Sequence, residues 1–210
     1  MINSKMIFRI LGFLLLIETV MLLCCGGVSL FYKENDLQSF LVSSAITTSI
    51  GILLLAIGKD AVKSLNRRDG YVIVSVAWVT FSLFGMLPYY IGGYIPSVTD
   101  AFFETMSGFS STGATILNNI ESMPHGILFW RAIVFFTIAV LPIFGVGGIQ
   151  VFAAEASGPT HDKVHPRIGI TAKWIWGIYA GMTGTLIVLL VFGGMSVFDS
   201  ICHAFTTTST

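Results

Sequence analysis

Charged side chains are scarce: Asp, Glu, Lys and Arg make up 10% of the 210 residues, against about 25% in soluble domains. That is too little charge to coat a globule of this size in water, which excludes an ordinary soluble enzyme or binding domain. Neither sign is in excess, with 11 basic and 11 acidic residues, so no bulk field attracts nucleic acid. Cysteine is nearly absent. Cys24, Cys25 and Cys202 stand in apolar surroundings without a CxxC pair, the pattern of buried thiols and not of a disulfide framework. There is also no Walker lysine, no HExxH and no nucleophile elbow, so no enzymatic chemistry is expected.

What fills the chain instead is apolar surface: 54% hydrophobic residues and a mean hydropathy of +0.84. A bilayer core of about 30 Å takes roughly 20 apolar residues in a helix. Runs of that kind are Met6–Leu30, Leu37–Ile57, Tyr71–Ile95, Gly126–Val151 and Lys173–Phe192. The first lacks a small-x-small cleavage site and is too long for a signal-peptide core, so it reads as a retained span. Basic residues collect in three places: Lys5 and Arg9; Lys59, Lys63, Arg67 and Arg68; Lys163, Arg167 and Lys173. By contrast Tyr94–His125 holds no Lys or Arg, only Asp100, Glu104 and Glu121. The positive-inside rule then predicts a multi-pass protein of the cytoplasmic (inner) membrane, its N-terminus and both basic loops in the cytoplasm and the acidic stretch outside.

That acidic stretch does not read as a loop. Ser97–Thr115 is SVTDAFFETMSGFSSTGAT, half apolar and helix-compatible at first. Thr99–Phe109 as a helix would be about 16 Å long, half a bilayer. Ser97-x-x-Asp100 has capping-box spacing and places a carboxylate at the positive end of the helix dipole. The small residues Ser110–Thr115 then form no regular element. A half-helix entering the membrane and returning as irregular backbone outlines a re-entrant pore loop, because such backbone survives at membrane depth only where protein buries it or where it lines a path. Carbonyl oxygens aimed at a common axis can replace a monovalent cation's hydration shell. The rival reading at this point is an ordinary outside loop.

An internal echo favours the pore loop. Gly92-Gly93 followed by Ser97-Val98-Thr99-Asp100 is matched by Gly193-Gly194 followed by Ser196-Val197-Phe198-Asp199. Each copy follows a long span, and Ser209-Thr210 falls on Ser111-Thr112 with one gap. Repeated span–half-helix–span units are a recurring way to build a permeation path.

At these residues the chain resembles a known family. DAFFETMSGFSSTGAT, LPIFGVGGIQVFAAEASGP, HPRI and FDSICHAFTTTST are similar to the Trk/Ktr/HKT superfamily of potassium transporters, most of all the bacterial Trk-type membrane subunit. The resemblance runs over nearly the whole chain. It implies an all-α membrane protein in which two N-terminal helices precede four membrane–pore–membrane repeats around one filter, as in potassium channels. On that template residues 1–70 are the extra helices and a basic loop, 71–151 the first repeat, 152–172 a cytoplasmic loop, and 173–210 the start of the second repeat. Main-chain oxygens of Ser111, Thr112, Gly113 and Ala114, and of Ser209 and Thr210, would bind the transported K+, with Ser97, Asp100, Ser196 and Asp199 capping the pore helices. The implied partners are the lipid bilayer, a second copy in a homodimer and a cytosolic nucleotide-binding regulatory subunit.

Two departures accompany the resemblance. The chain stops inside the second filter segment, so a fragment, a truncated product or a split protein is expected, with a non-transporting stub as the rival function. Similar proteins also carry further residues after the Trp-Arg pair, including a Gly-Gly-Met-Gly-like stretch, whereas Trp130-Arg131 here runs straight into Ala132. A sodium-permeable relative is a third reading, and glycine at 113 leans against it, since some relatives that admit sodium have serine there.

The remaining residues are weighed singly. Glu18 sits inside a span, where an acid is costly; it is expected to make a structural hydrogen bond or to face a partner. Glu104 either biases the outer mouth towards cations or bonds nearby backbone, and Arg131 either snorkels or bonds the loop behind the filter. His161 and His165 have helical metal spacing but stand between prolines and read as a solvated loop. Gly177, Gly181 and Gly184 suit close helix packing. Gly145-Val-Gly-Gly148 lacks the spacing of a dinucleotide fingerprint.

Overall fold

The structure, a computed structural model, describes residues 3–61, 67–120, 122–140 and 168–209. Among them every regular element is an α-helix: α1 Ser4–Tyr32, α2 Leu37–Ile57, α3 Arg67–Gly85, α4 Leu87–Ile91, α5 Val98–Phe109, α6 His125–Val140, α7 Ile168–Phe192 and α8 Val197–Ser209. Helices α1, α2 and the segment Asp69–Ile91 are long and apolar enough to cross a membrane. The expected third span is interrupted only at Met86, between α3 and α4, where Pro88 in the first turn of α4 has no N–H to donate. Helix α6 supplies the start of the expected fourth span, and its remainder lies outside the described residues, as do His161, His165 and the 145–148 glycines.

Helices α1 and α2 form an antiparallel hairpin. Asn3 caps α1 by accepting from the Met6 N–H at 3.2 Å, and Lys33 closes it in the left-handed conformation. In lipid there is no hydrophobic drive between helices, so close backbone approach and internal hydrogen bonds must hold them. The hairpin supplies both. A Cβ on Gly12 would stand 2.8 Å from the Gly51 carbonyl oxygen, so only glycine permits this crossing. The hydroxyls of Ser43 and Thr47 donate to carbonyls one turn back, at 2.6 and 2.8 Å, which lets a Ser/Thr-rich helix sit in an apolar medium.

Helix α3 runs beside α1 from the same end, where the Asn3 N–H donates to Asp69 Oδ1 at 3.1 Å. At the opposite end Glu34 satisfies the start of α6: its carboxylate accepts from the His125 backbone N–H at 2.6 Å and meets the His125 ring at 2.8 Å. Tyr32 stacks on that ring, centroids 3.9 Å apart. Trp130 of α6 is fully buried, and its indole N–H donates to the Gly85 carbonyl at 2.9 Å, tying α6 to the end of α3. Trp130→Ala is expected to cost about 3–5 kcal/mol through the cavity, with a further penalty for the orphaned carbonyl. Trp130→Phe, which fills most of the space, should cost clearly less. Thermal unfolding of the purified chain in detergent checks the order.

Two sequence expectations change here. The cysteines are all free, but Cys24 is exposed while Cys25 is buried, because adjacent residues on a helix point to different faces. Among the described residues, Gly177, Gly181 and Gly184 have nothing within 4 Å of their Cβ positions. Helix α7 instead meets α8 through Tyr179, whose hydroxyl contacts that of Ser209, and Thr183, 3.1 Å from the Thr208 hydroxyl.

Candidate functional site

Helix α5 begins at the end of the bundle where α1 finishes, and its 12 residues span about 18 Å. It therefore stops partway through the bundle. Ser97 caps it in extended conformation, its hydroxyl accepting from the Asp100 N–H at 3.3 Å, and Asp100 lies in the first turn. Helix α8 begins the same way. The Ser196 hydroxyl accepts from the Asp199 N–H at 3.1 Å and stands 2.7 Å from the Asp199 carboxylate. The turns before the two helices also correspond. Gly92, Gly93 and Tyr94 donate to Pro88, Tyr90 and Tyr89, just as Gly193, Gly194 and Met195 donate to Leu189, Val191 and Leu190. Both second glycines have positive φ, 72° and 92°. The sequence echo is thus a repeated turn–cap–helix unit.

After α5 the chain reverses within a few residues. The Ser111 and Thr112 N–H groups donate to the Gly108 and Ser107 carbonyls at 3.1 and 3.0 Å. Ser111 has φ 54° and Gly113 φ 73°, whereas Thr112 and Ala114 stay on the negative side. The sign of φ therefore alternates along Ser111–Ala114. The Ala114 carbonyl accepts from the Ser107 hydroxyl at 2.6 Å, which turns that oxygen towards α5. Thr112 and Ala114 are exposed, and Ser110 and Thr112 share a hydroxyl–hydroxyl bond of 2.7 Å. In the second copy Ser209 is the last residue of α8, its hydroxyl donating to the Phe205 carbonyl at 2.7 Å; Thr210 lies outside the described residues.

Behind the reversed segment sits the carboxylate of Glu104. Glu104 is 4% exposed and accepts from the Thr115 hydroxyl at 2.9 Å, the Ile116 backbone N–H at 3.1 Å and the Arg131 Nε at 2.9 Å. Arg131 also lies over the Phe135 ring, 5.6 Å from its centroid. One acid on α5 thus ties the returning chain and α6 together: Glu104 bonds the Ile116 backbone, and Arg131 bonds that carboxylate and not the loop itself. Close packing supports the brace, since a Cβ on Gly108 would stand 2.7 Å from Val134 Cγ1 of α6.

Ser107 is the contributor that motif reading missed. Its signal was present: Asp100, Glu104, Ser107 and Ser111 follow the i, i+4, i+7, i+11 pattern of one helix face, so a polar stripe runs down α5 towards the reversed segment.

Residues 36–210 match the model of a family described as TrkH, cation transport protein. A Trk system potassium uptake protein TrkH of Halomonas elongata is 38% identical over 98% of this chain, and its Escherichia coli K12 counterpart 37% identical over the same share. The chain spans 45% of the length of each. The crystal structure of the potassium transporter TrkH from Vibrio parahaemolyticus superimposes with a TM-score of 0.80 at 31% identity, covering 96% of this chain and 42% of that one. The half-length helix with its braced return, the repeated turn–cap unit and the family match over most of its length agree: this chain belongs to the TrkH family of cation transport proteins.

Proposed function

We propose that the chain forms part of the pore of a potassium uptake system, ions passing down their electrochemical gradient through a filter of backbone carbonyls. The observation that carries this is the alternation of φ along Ser111–Ala114, at the foot of a half-length helix. Alternating hands let successive carbonyls face one side, which a uniform backbone does not, and a row of oxygens is what replaces water around a potassium ion. The carbonyls of Ser111, Thr112 and Gly113 are the leading ligands. Ala114 contributes the lone pair that its bond to Ser107 leaves over, and Ser209 and Thr210 open the matching segment of a second repeat. The C-terminal end of α5 carries the negative end of its dipole and favours a cation beside it.

On this reading 71–151 is the first repeat, 152–172 a cytoplasmic loop and 173–210 the entry to the second repeat. The N-terminus lies in the cytoplasm of an inner-membrane protein. A second copy and a cytosolic nucleotide-binding subunit are the proposed partners; the relatives' names speak only of a Trk system. The test is a chimera in which residues 1–210 replace the matching segment of the Escherichia coli relative, expressed in cells without potassium uptake. Growth on low potassium and rubidium influx are expected to return. A chimera that reaches the membrane folded and carries neither ion overturns the proposal. Liposomes holding only these 210 residues are expected to show no potassium flux, since a filter of this family is closed by four segments; selective flux from them would contradict that picture.

A further inference from the structure

Glu18 has no part in the pore loop, yet it is among the most enclosed side chains of the molecule. It stands at the midpoint of α1, fourteen residues from Ser4 and fourteen from Tyr32, which is about 21 Å from either end. It is 0% exposed, and among the described residues neither carboxyl oxygen has a hydrogen-bond partner. Both sequence alternatives, a structural hydrogen bond or an outward face towards a partner, are therefore replaced. The side chain points inward, to the junction of α1 with the end of α3 and the back of α5: a Cβ on Gly85 would meet Thr105 Cγ2 at 2.8 Å, Glu18 Oε1 at 3.0 Å and Phe109 Cε2 at 3.1 Å.

Among the described residues no cation is placed to neutralise a carboxylate there. Helix α2 contains no titratable residue at all. The charged residues of α3, Arg67, Arg68 and Asp69, and its Tyr71, lie at the far end of that helix from Gly85. On α5 the titratable groups are Asp100 in the first turn and Glu104. On α6 they are His125, paired with Glu34, and Arg131, which is committed to Glu104. Along α1 itself Lys5 and Arg9 are at least nine residues away, about 13 Å or more along the axis, and Cys24, Cys25 and Tyr32 carry no positive charge. An ion in such a place either finds a partner or gives up its charge.

We propose that Glu18 is a proton-binding site in the interior of the bundle, a carboxylic acid held neutral where α1 meets α3 and the back of the re-entrant helix. The bound proton is what allows an acid to be packed against Gly85, Thr105 and Phe109. The inference does not depend on which ion the protein carries, so its failure leaves the transport reading untouched.

Infrared spectroscopy of the full 210-residue chain in lipid tests it. At neutral pH, where exposed carboxyls are ionised, a protonated-carboxyl stretching band is expected, and Glu18→Gln should remove it completely. A second measurement uses the unsubstituted chain, so it holds even if that variant misfolds. Dicyclohexylcarbodiimide, which partitions into lipid, takes the carboxyl proton onto one nitrogen while the carboxylate oxygen bonds its central carbon; acyl migration to nitrogen then gives a stable N-acylurea with no atom lost. Mass spectrometry is expected to find this adduct at Glu18 at several times its level on any other carboxyl, with Glu18 untouched by a water-soluble carbodiimide. Absence of the band, its survival in Glu18→Gln, or modification of Glu18 by the water-soluble reagent would overturn the proposal.

Discussion

Glu104→Ala is expected to abolish potassium influx in the chimera and to lower the chain's own stability by more than any other single substitution on α5. The carboxylate accepts three separate donors, one from a side chain of the returning segment, one from its backbone and one from α6. Hydrogen bonds to a charged group contribute about 1.5–3 kcal/mol each. The larger penalty falls on what stays behind. Arg131 has 16% of its side chain exposed, and breaking a buried ion pair by removing one partner costs about 3–5 kcal/mol. Against a total stability of about 5–15 kcal/mol the loss is severe, and the purified variant should unfold at markedly lower temperature. Glu104→Gln separates charge from shape. Its amide oxygen still accepts from the Ile116 N–H, so the segment stays in place better than in the alanine variant while Arg131 is left without its counter-ion. Partial influx with weakened selectivity is the expected intermediate result. If Glu104→Ala chimeras conduct with unchanged potassium-over-sodium preference, the carboxylate does not hold the filter.

The sequence revealed more of this arrangement at its ends than at its centre, for a physical reason. Helix caps are local: Ser97 with Asp100, and Ser196 with Asp199, need only the next turn of chain to form, and both could be read from spacing. Spans are legible because lipid imposes length and hydropathy directly. The brace is a different matter. That Glu104 meets Thr115, Ile116 and Arg131 depends on how α6 packs against α5, a contact between residues 27 apart that no local pattern specifies. Glu18 shows the opposite failure. Position in a span marked it as costly, but which way it faced depended on the rotation of α1 against α3 and α5, and a nearly uniformly apolar helix gives little periodicity from which to read a rotation.

Gly113 is where conformation and conduction should come apart. Its φ of 73° lies in the left-handed region, which glycine enters freely and a residue with a Cβ enters at about 1–2 kcal/mol. Gly113→Ala should therefore leave the helices, the caps and the Glu104 brace intact, with an unfolding temperature close to that of the unsubstituted chain. The same strain acts differently on the filter. A bias of one or two kcal/mol changes the ratio of two backbone states by roughly 5- to 30-fold, so the alternating conformation loses population and potassium influx is expected to fall by up to that factor. Ala114→Gly, at negative φ, is the control and should cost far less influx. Gly113→Ser adds a second readout. Serine carries the same Cβ, so influx should fall much as in Gly113→Ala, while its occurrence at positive φ at Ser111 in this chain leaves a residual population whose carbonyls are less strictly held and admit sodium more readily in competition with potassium. Rubidium influx measured at increasing sodium, alongside thermal unfolding, separates these effects. Equal influx and equal selectivity in all three variants would mean that the carbonyls of this segment do not face the ion.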